Sequence, residues 1–162
     1  MFKSDYMTKT LADSEVYLKS GAHIGTRYKS GDMKRYIFKI RKDGLNVLDV
    51  STLDERIKIG ANFLARFPPE KIVVVARKLY AQAPVKVFAK TINARAIVGR
   101  FVPGTFTNPK AVDFVEPKVV FVAEPEPDAQ AIEEAKKANI PVLSLVSTNN
   151  SLRNVDLAIP TN

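Results

Sequence analysis

The chain has 162 residues, 46% of them hydrophobic and 26% charged, with a formal net charge of +8 at pH 7. A chain of this length buries about 70% of its unfolded surface, so we expect a single folded domain over residues 1–162. The absence of cysteine excludes disulfides, thiolate metal sites and a cysteine nucleophile, and the lack of a long apolar run or a signal peptide predicts a cytoplasmic protein without a membrane span.

The positive charge is concentrated in two segments. Residues 27–42 carry seven basic side chains and one acidic side chain, and residues 71–112 carry eight basic side chains and no acidic one. Residues 113–162, in contrast, carry eight acidic and four basic side chains. Charge segregated in this way attracts polyanions, so nucleic acid is the leading predicted partner.

A short helix over residues 14–20 is predicted to end at Gly21, since glycine readily adopts the left-handed backbone that stops a helix. The stretch Gly21-Ala22-His23-Ile24-Gly25 then places the only histidine between two glycines, which indicates a tight backbone course. His23 has the pKa range of an acid–base catalyst, but the sequence identifies no nucleophile or substrate for it. We therefore favour a structural role for this loop, in internal packing or partner contact, over catalysis.

Most of the first basic segment lies on a predicted hairpin. Strands over residues 36–40 and 45–48 are joined through Asp43-Gly44, a turn dipeptide. We call residues 27–44 the basic arm. We interpret the arm as an RNA-binding segment, because the two basic segments agree in the sign of their charge. The alternative interpretation is a solvent-exposed hairpin whose lysines have no binding role.

A helix is predicted after the hairpin. Thr52 and Glu55 have the spacing of a capping box, in which the two side chains satisfy backbone amides at a helix start. The helix is expected to end before Pro68. Its core-facing side chains recur at helical spacing and are Leu53, Ile57, Ala61 and Leu64.

The rest of the chain alternates short apolar runs with amphipathic stretches, which predicts an α/β fold with a mainly parallel sheet. The five predicted strands are residues 72–76, 96–98, 119–123, 141–146 and 155–159. One helix follows the first of these strands, with Pro84 in its first turn. Another follows the third strand and is capped by Asp128. Their predicted inward residues are Val85, Phe88, Ala89 and Ile92, and Ala131, Ile132, Ala135 and Ala138.

Cations follow two of these strands directly. Arg77 and Lys78 come after residues 72–76, and Arg100 comes shortly after residues 96–98. Because right-handed crossovers bring the carboxyl ends of parallel strands to one edge of the sheet, where ligands bind, we expect these three side chains to lie together. No glycine-rich phosphate loop is present, which disfavours a mononucleotide site.

The segment Arg100–Asn108 combines a cation, two phenylalanines and several hydrogen-bonding side chains. Two interpretations are equally favoured. In the first, the loop binds RNA, by contacting phosphate or by stacking on an unpaired base. In the second, Phe101 and Phe106 anchor the loop to the core.

Several segments resemble the small-subunit ribosomal protein S-two family, in its archaeal and eukaryotic form, called SA or laminin-receptor precursor in eukaryotes. The similar segments are YLKSGAHIGT at 17–26, RKDGLNVLDV at 41–50 running into TLDERI at 52–57, RFVPGTFTN at 100–108, residues 117–141, and residues 155–162. Only eight residues, Pro109–Glu116, stand where bacterial members carry a helical hairpin. The chain ends at Asn162, where members of the family continue into a further helix.

The resemblance implies a flavodoxin-like, three-layer α/β/α domain with an N-terminal basic arm or hairpin. It also implies a structural role between the head and body of the small ribosomal subunit, in contact with ribosomal RNA and neighbouring ribosomal proteins. No catalysis, cofactor, metal, membrane or small-molecule substrate is expected. Residues 1–13 and the basic arm are expected to become ordered only on the RNA.

Together with the charge distribution, this resemblance predicts which residues contact RNA, mostly at phosphates. They are Arg27, Lys29, Lys34, Arg35, Lys39, Arg41, Arg77, Lys78, Arg100 and Asn108. Two alternatives remain. One is an α/β enzyme that binds a phosphorylated metabolite, with His23 as acid or base. The other is a protein-binding adaptor that acts through residues 113–162.

Overall fold

The computed structural model describes residues 11–162. Its helices are α1 (Ser14–Ser20), α2 (Val50–Leu64), α3 (Leu79–Thr91) and α4 (Ala129–Lys137). Its strands are β1 (Ile37–Ile40), β2 (Asn46–Leu48), β3 (Ile72–Ala76), β4 (Arg95–Val98), β5 (Val119–Val122), β6 (Val142–Val146) and β7 (Leu157–Pro160). Short 3-10 helices precede β1 and β3, at Asp32–Tyr36 and Pro69–Lys71. All seven predicted strands are thus present, with ends within two residues of the prediction.

Five strands form one parallel sheet in the order β4-β3-β5-β6-β7. Of these five strands, β3 comes first in sequence and lies second in the sheet. This is the strand order of the flavodoxin-like fold. The predicted fold class is therefore confirmed. The reversal of strand order between β3 and β5 creates a topological switch point at the carboxyl ends of these two strands, which is where such sheets usually bind ligands.

The sheet is covered on both faces because its strands are apolar on both sides. On one face, Leu53 of α2 and Val85 of α3 share a core with Val74 of β3. On the other face, Ile132 of α4 packs with Val73 of β3 and with the loop that follows β4. The fold is therefore a three-layer α/β/α arrangement.

An apolar cleft lies between α2 and α3, because α2 packs along β7 and α3 packs along β3 and β4. This central cleft has a volume of about 300 Å³, and it is lined by residues that include Ala61, Leu64, Pro84, Phe88, Phe121 and Leu145. Phe88 meets Phe121 of β5 edge to face, with ring centroids 5.5 Å apart, within the roughly 4.5–7 Å typical of such pairs. The cleft explains why Ala61, which was predicted to be inward, is exposed.

The hairpin prediction is confirmed, since β1 and β2 pair antiparallel. The carbonyl of His23 accepts a hydrogen bond from the Leu48 amide, at 2.8 Å, so the loop around His23 adds a further edge to this small sheet. The 3-10 helix before β1 buries Met33 and Tyr36 against the end of β6 and part of β7. The hairpin is therefore attached to the domain at its base.

Three details of the helix predictions were wrong. The N-cap of α2 is Asp49, whose carboxylate accepts the amides of Ser51 and Thr52, so the Thr52–Glu55 capping box does not form. Pro84 lies in the second turn of α3, because the helix already begins at Leu79. Ala138 is exposed because α4 ends one residue before it.

The chain start is partly outside the described residues. Of the predicted flexible segment 1–13, residues 1–10 are not described, whereas the Leu11 amide donates a 2.8 Å hydrogen bond to Asp54 of α2. Asp54 also accepts from the Tyr17 hydroxyl and pairs with Lys58, each at 2.8 Å, which attaches α1 to α2. Within residues 11–162, no helix is both long and apolar enough to cross a membrane.

Candidate nucleic-acid interface

Arg77 and Arg100 lie at the same edge of the sheet, at the carboxyl ends of neighbouring strands. Ala76 is the register partner of Val98, and the Gly99 amide donates to the Ala76 carbonyl at 2.8 Å. Both arginines are exposed, and within residues 11–162 neither takes part in an ion pair. The predicted placement of these two cations at one edge of the sheet is confirmed.

Lys78 lies at the same edge, but it is partnered. Its Nζ is 2.7 Å from a carboxylate oxygen of Glu124, which follows β5. The ion pair crosses the switch point between β3 and β5. Because the side chain of Lys78 is 59% exposed, the pair contributes little to stability and leaves less positive charge at the edge than the sequence indicates.

Asp128 is buried next to the switch point. Its carboxylate accepts the Arg77 amide at 2.9 Å, and the residue is only 1% exposed. Burial raises the pKa of Asp128 to about 6, although the amides of Arg77 and Glu124 act against this rise. Asp128 occupies the N-cap position of α4 as predicted, but its side chain makes no capping hydrogen bond, because it fixes the backbone of Arg77 instead.

The 100–108 loop is anchored to the core. Phe101 and Phe106 are 6% and 4% exposed and meet edge to face, with ring centroids 5.0 Å apart. Of the two interpretations from sequence, the structure supports the anchor, and rings this buried cannot stack on a base. Asn108 is exposed; its amide donates to the Gly104 carbonyl at 2.9 Å and its side chain accepts the Lys110 amide, which closes the end of the loop.

Glu134 of α4 holds this loop and was not among the predicted functional residues. Its buried carboxylate accepts the amides of Gly104, at 2.7 Å, and Phe106, at 3.1 Å, and also bonds the side chains of Thr107 and Gln130. Burial alone would raise the pKa of Glu134, but these hydrogen bonds outweigh it and hold the pKa below its usual value. The sequence signal that could have indicated this role is the position of Glu134, an acid on the core-facing side of the predicted helix.

The loop around His23 has a structural role. Gly21 adopts a left-handed conformation with φ of 74°, which stops α1 as predicted. Gly25 lies against Thr148, and the neighbouring Thr26 amide donates to the Thr148 hydroxyl at 2.9 Å. The His23 ring makes one weak contact, with Nδ1 3.4 Å from the Tyr17 carbonyl, and among the described residues no acid or nucleophile is bonded to it.

The base of the basic arm is attached just beyond the carboxyl end of β6, because the Ser30 amide donates to the Thr148 carbonyl at 2.9 Å. Only β5 lies between β3 and β6, so this attachment is about 10 Å from the end of β3. Arg41 pairs with Asp43, and Arg35 lies over the Tyr36 ring. All six predicted RNA-contacting residues of the arm are exposed: Arg27, Lys29, Lys34, Arg35, Lys39 and Arg41.

Other cations of the acid-free segment lie elsewhere. Lys71 and Arg95 are at the amino ends of β3 and β4, on the opposite edge of the sheet, and Lys86 and Lys90 are on α3. The two basic segments therefore do not form one surface in full. Arg77, Lys78 and Arg100 lie at the carboxyl edge of the sheet, and the arm is attached near this edge at its base, through Ser30. No cluster of potential metal ligands occurs in the part of the chain that the structure describes.

Comparison with known proteins gives concordant results. The model of the family described as Ribosomal protein S2 matches residues 17–115 and 113–162. The chain is 47% identical over 165 residues to the small ribosomal subunit protein uS2 of Haloquadratum walsbyi (strain DSM 16790 / HBSQ001). That alignment covers 99% of this chain and 59% of the relative, so the chain spans about three fifths of the relative's length. The match confirms the resemblance seen in the motifs, and the chain belongs to the ribosomal protein S2 family.

Proposed function

We propose that this chain is a structural, non-catalytic component of the small ribosomal subunit that binds ribosomal RNA. The name of the similar uS2 protein places that relative in the small subunit. The observation that carries the proposal for this chain is the pair Arg77 and Arg100, both exposed after neighbouring strands at the carboxyl edge of the sheet, with the basic arm attached about 10 Å from the end of β3.

The cations act on phosphates. Arginine and lysine contacts with the phosphate backbone orient a protein on RNA without selecting a base sequence. Arg77 has a backbone fixed by Asp128, and Arg100 precedes a loop fixed by Glu134, so both guanidinium groups extend from rigid positions. The arm, attached near this edge through Ser30, offers six further exposed cations. The neighbours in this proposal are ribosomal RNA and ribosomal proteins, with the chain placed between head and body.

The enzyme alternative receives no support from the geometry. At the switch point, where a phosphorylated metabolite would bind, the Lys78–Glu124 ion pair and the buried Asp128 occupy the space between β3 and β5. His23 lies in a different loop and contacts a backbone carbonyl.

The test is RNA binding at several salt concentrations. We expect the affinity for protein-free small-subunit RNA to fall steeply between 50 and 200 mM salt, with ~1 lost from the log–log slope for each phosphate contact removed. Arg77→Gln and Arg100→Gln should each lower the slope by about 1. Arg95→Gln is the matched control, because it removes the same charge from the opposite edge.

An affinity that does not change with salt would overturn the electrostatic mechanism. An equal effect of Arg95→Gln would show that net charge, and not this edge, determines binding. The adaptor alternative, in which residues 113–162 bind proteins only, requires no RNA binding even at low salt.

A further inference from the structure

The solvent-facing side of α3 carries no charge along its centre. Tyr80 is 88% exposed and Val87 is 66% exposed. At 3.6 residues per turn these two side chains lie in one sector about 100° wide. The outward stripe of α3 consists of the exposed residues in this sector, namely Tyr80, Ala83, Pro84, Val87 and Thr91. A helix face toward solvent ordinarily carries charged residues, so this stripe is unusual for a surface.

Each side of the stripe has a distinct border. On one side are the exposed Leu79, Lys86 and Lys90. On the other side, Pro84 belongs both to the stripe and to the lining of the central cleft, next to Phe88. The apolar surface is therefore continuous from the outward stripe into the cleft, with cations along its far border.

We propose that this face of α3 is the docking site for an acidic amphipathic helix from a neighbouring protein of the small subunit. The apolar stripe suits the apolar face of such a helix, which would cover Tyr80 and Val87. Acidic side chains along one border of the partner would then meet Lys86 and Lys90. Residues 71–112 contain no acid, and neither lysine is in an ion pair among the described residues, so both charges are available to such a partner.

RNA fits this face less well than a protein does. A sugar-phosphate surface would pair with the two lysines, but it offers no apolar group to cover the stripe between Tyr80 and Val87. The cations that favour RNA, Arg77 and Arg100, are at the carboxyl edge beyond the first turn of α3. The structure thus separates a surface for phosphate from a surface for protein.

The inference rests on the proposed function, because the partner belongs to the same subunit. The test uses a photo-cross-linking amino acid in place of Val87, in small subunits purified from cells whose only copy of the protein carries it. The same amino acid in place of Arg100 reports the RNA surface, and in place of Asn62, exposed on α2, it provides the background. We expect position 87 to cross-link to an acidic segment of another protein and position 100 to cross-link to RNA.

The outcomes separate the two proposals. A cross-link from position 87 to RNA or to its own polypeptide, or a yield no higher than that from position 62, would overturn the docking site. Failure of position 100 to reach RNA, with a protein cross-link at 87, would instead contradict the RNA interface alone.

Charge reversal provides a second measurement. Lys86→Glu with Lys90→Glu should lower the cross-linking yield from position 87 about tenfold and leave the yield from position 100 unchanged, because only the first surface faces acids. The matched control is Lys136→Glu with Lys137→Glu, which reverses two exposed lysines in the last turn of α4. An unchanged yield from position 87 would exclude an acidic partner.

Discussion

The carboxylate of Glu134 on α4 accepts a hydrogen bond of 2.7 Å from the backbone amide of Gly104, thirty residues earlier in the chain. The same carboxylate accepts the Phe106 amide. A buried acid therefore takes the place of a backbone partner for a loop that belongs to no strand or helix. This contact, together with the burial of Phe101, holds the loop that begins at Arg100.

Removal of this carboxylate should destabilise the domain. In Glu134→Gln the new amide nitrogen faces a backbone N–H that has lost its acceptor, and an unsatisfied buried donor costs ~1–3 kcal/mol. We expect the free energy of unfolding at pH 7 to fall by about 2 kcal/mol, as measured by urea denaturation. Glu133→Gln, at the exposed neighbouring position, should have almost no effect.

The Glu134 effect should also depend on pH. Its pKa in the folded state is below the usual value of 4.5, so its stabilising effect is complete above pH 4.5 and is lost as the pH falls through the folded value. The difference in unfolding free energy between the native chain and Glu134→Gln should therefore shrink in acid. A constant difference down to the lowest pH at which the chain folds would contradict the lowered pKa.

Asp128 should show the opposite pH dependence. Its pKa rises from 3.8 unfolded to about 6 folded, so the folded state binds the proton more tightly. Its contribution to stability then falls as the pH rises from about 4 to 6, by on the order of 2–3 kcal/mol. Carboxyl carbon NMR of Asp128 measures the pKa directly, and Asp128→Asn should remove this part of the pH dependence. Glu126→Gln, in the preceding loop, should retain it.

Gly25→Ala should test the contact between the His23 loop and the segment that follows β6. A Cβ at this position would overlap the Thr148 methyl group and lie 2.8 Å from the hydroxyl oxygen. We expect a loss of about 2 kcal/mol in unfolding free energy. Thr148→Ser removes the methyl group and keeps the hydroxyl that bonds Thr26, so the double variant should recover part of the loss. In Gly31→Ala the new methyl group enters open space, so the free energy of unfolding should change by less than about 0.5 kcal/mol.

Glu124→Gln should strengthen RNA binding if the proposed interface is right. It breaks the 2.7 Å pair with Lys78 and frees that cation for a phosphate. The affinity should increase at low salt, and the log–log salt slope should steepen by about 1. Glu126→Gln makes the same change in net charge at an exposed position without freeing Lys78. Equal effects of the two variants would mean that Lys78 contacts no phosphate.

Local sequence signals predicted the sheet well. The run Ile72–Ala76 is β-branched throughout except at its last residue, and it forms β3 with all five residues buried. Gly21 stops α1 at the predicted position. These elements are determined by their own residues, since a strand buried on both faces or a left-handed helix stop needs no distant partner to be recognised.

The missed features depend on contacts between distant residues. Asp128 has the sequence position of a helix cap, but the Arg77 amide, 51 residues away, competes for its carboxylate. In the sequence Glu134 has the pattern of any acid on a helix, and its role depends on the 100–108 loop, which packs over it in the fold. A charge count over residues 71–112 ignores strand direction, which places Arg95 and Arg100 at opposite edges of the sheet.

The hydrogen bond from Thr26 to Thr148 joins residues 122 positions apart. During synthesis at roughly 5–20 residues per second, Thr148 follows Thr26 by about 6–24 s. The arm must therefore leave the synthesising ribosome long before the end of β6 exists to hold its base. A strongly cationic segment is thus unanchored for seconds amid ribosomal RNA, and a chaperone that shields positive charge would have its binding window in that interval.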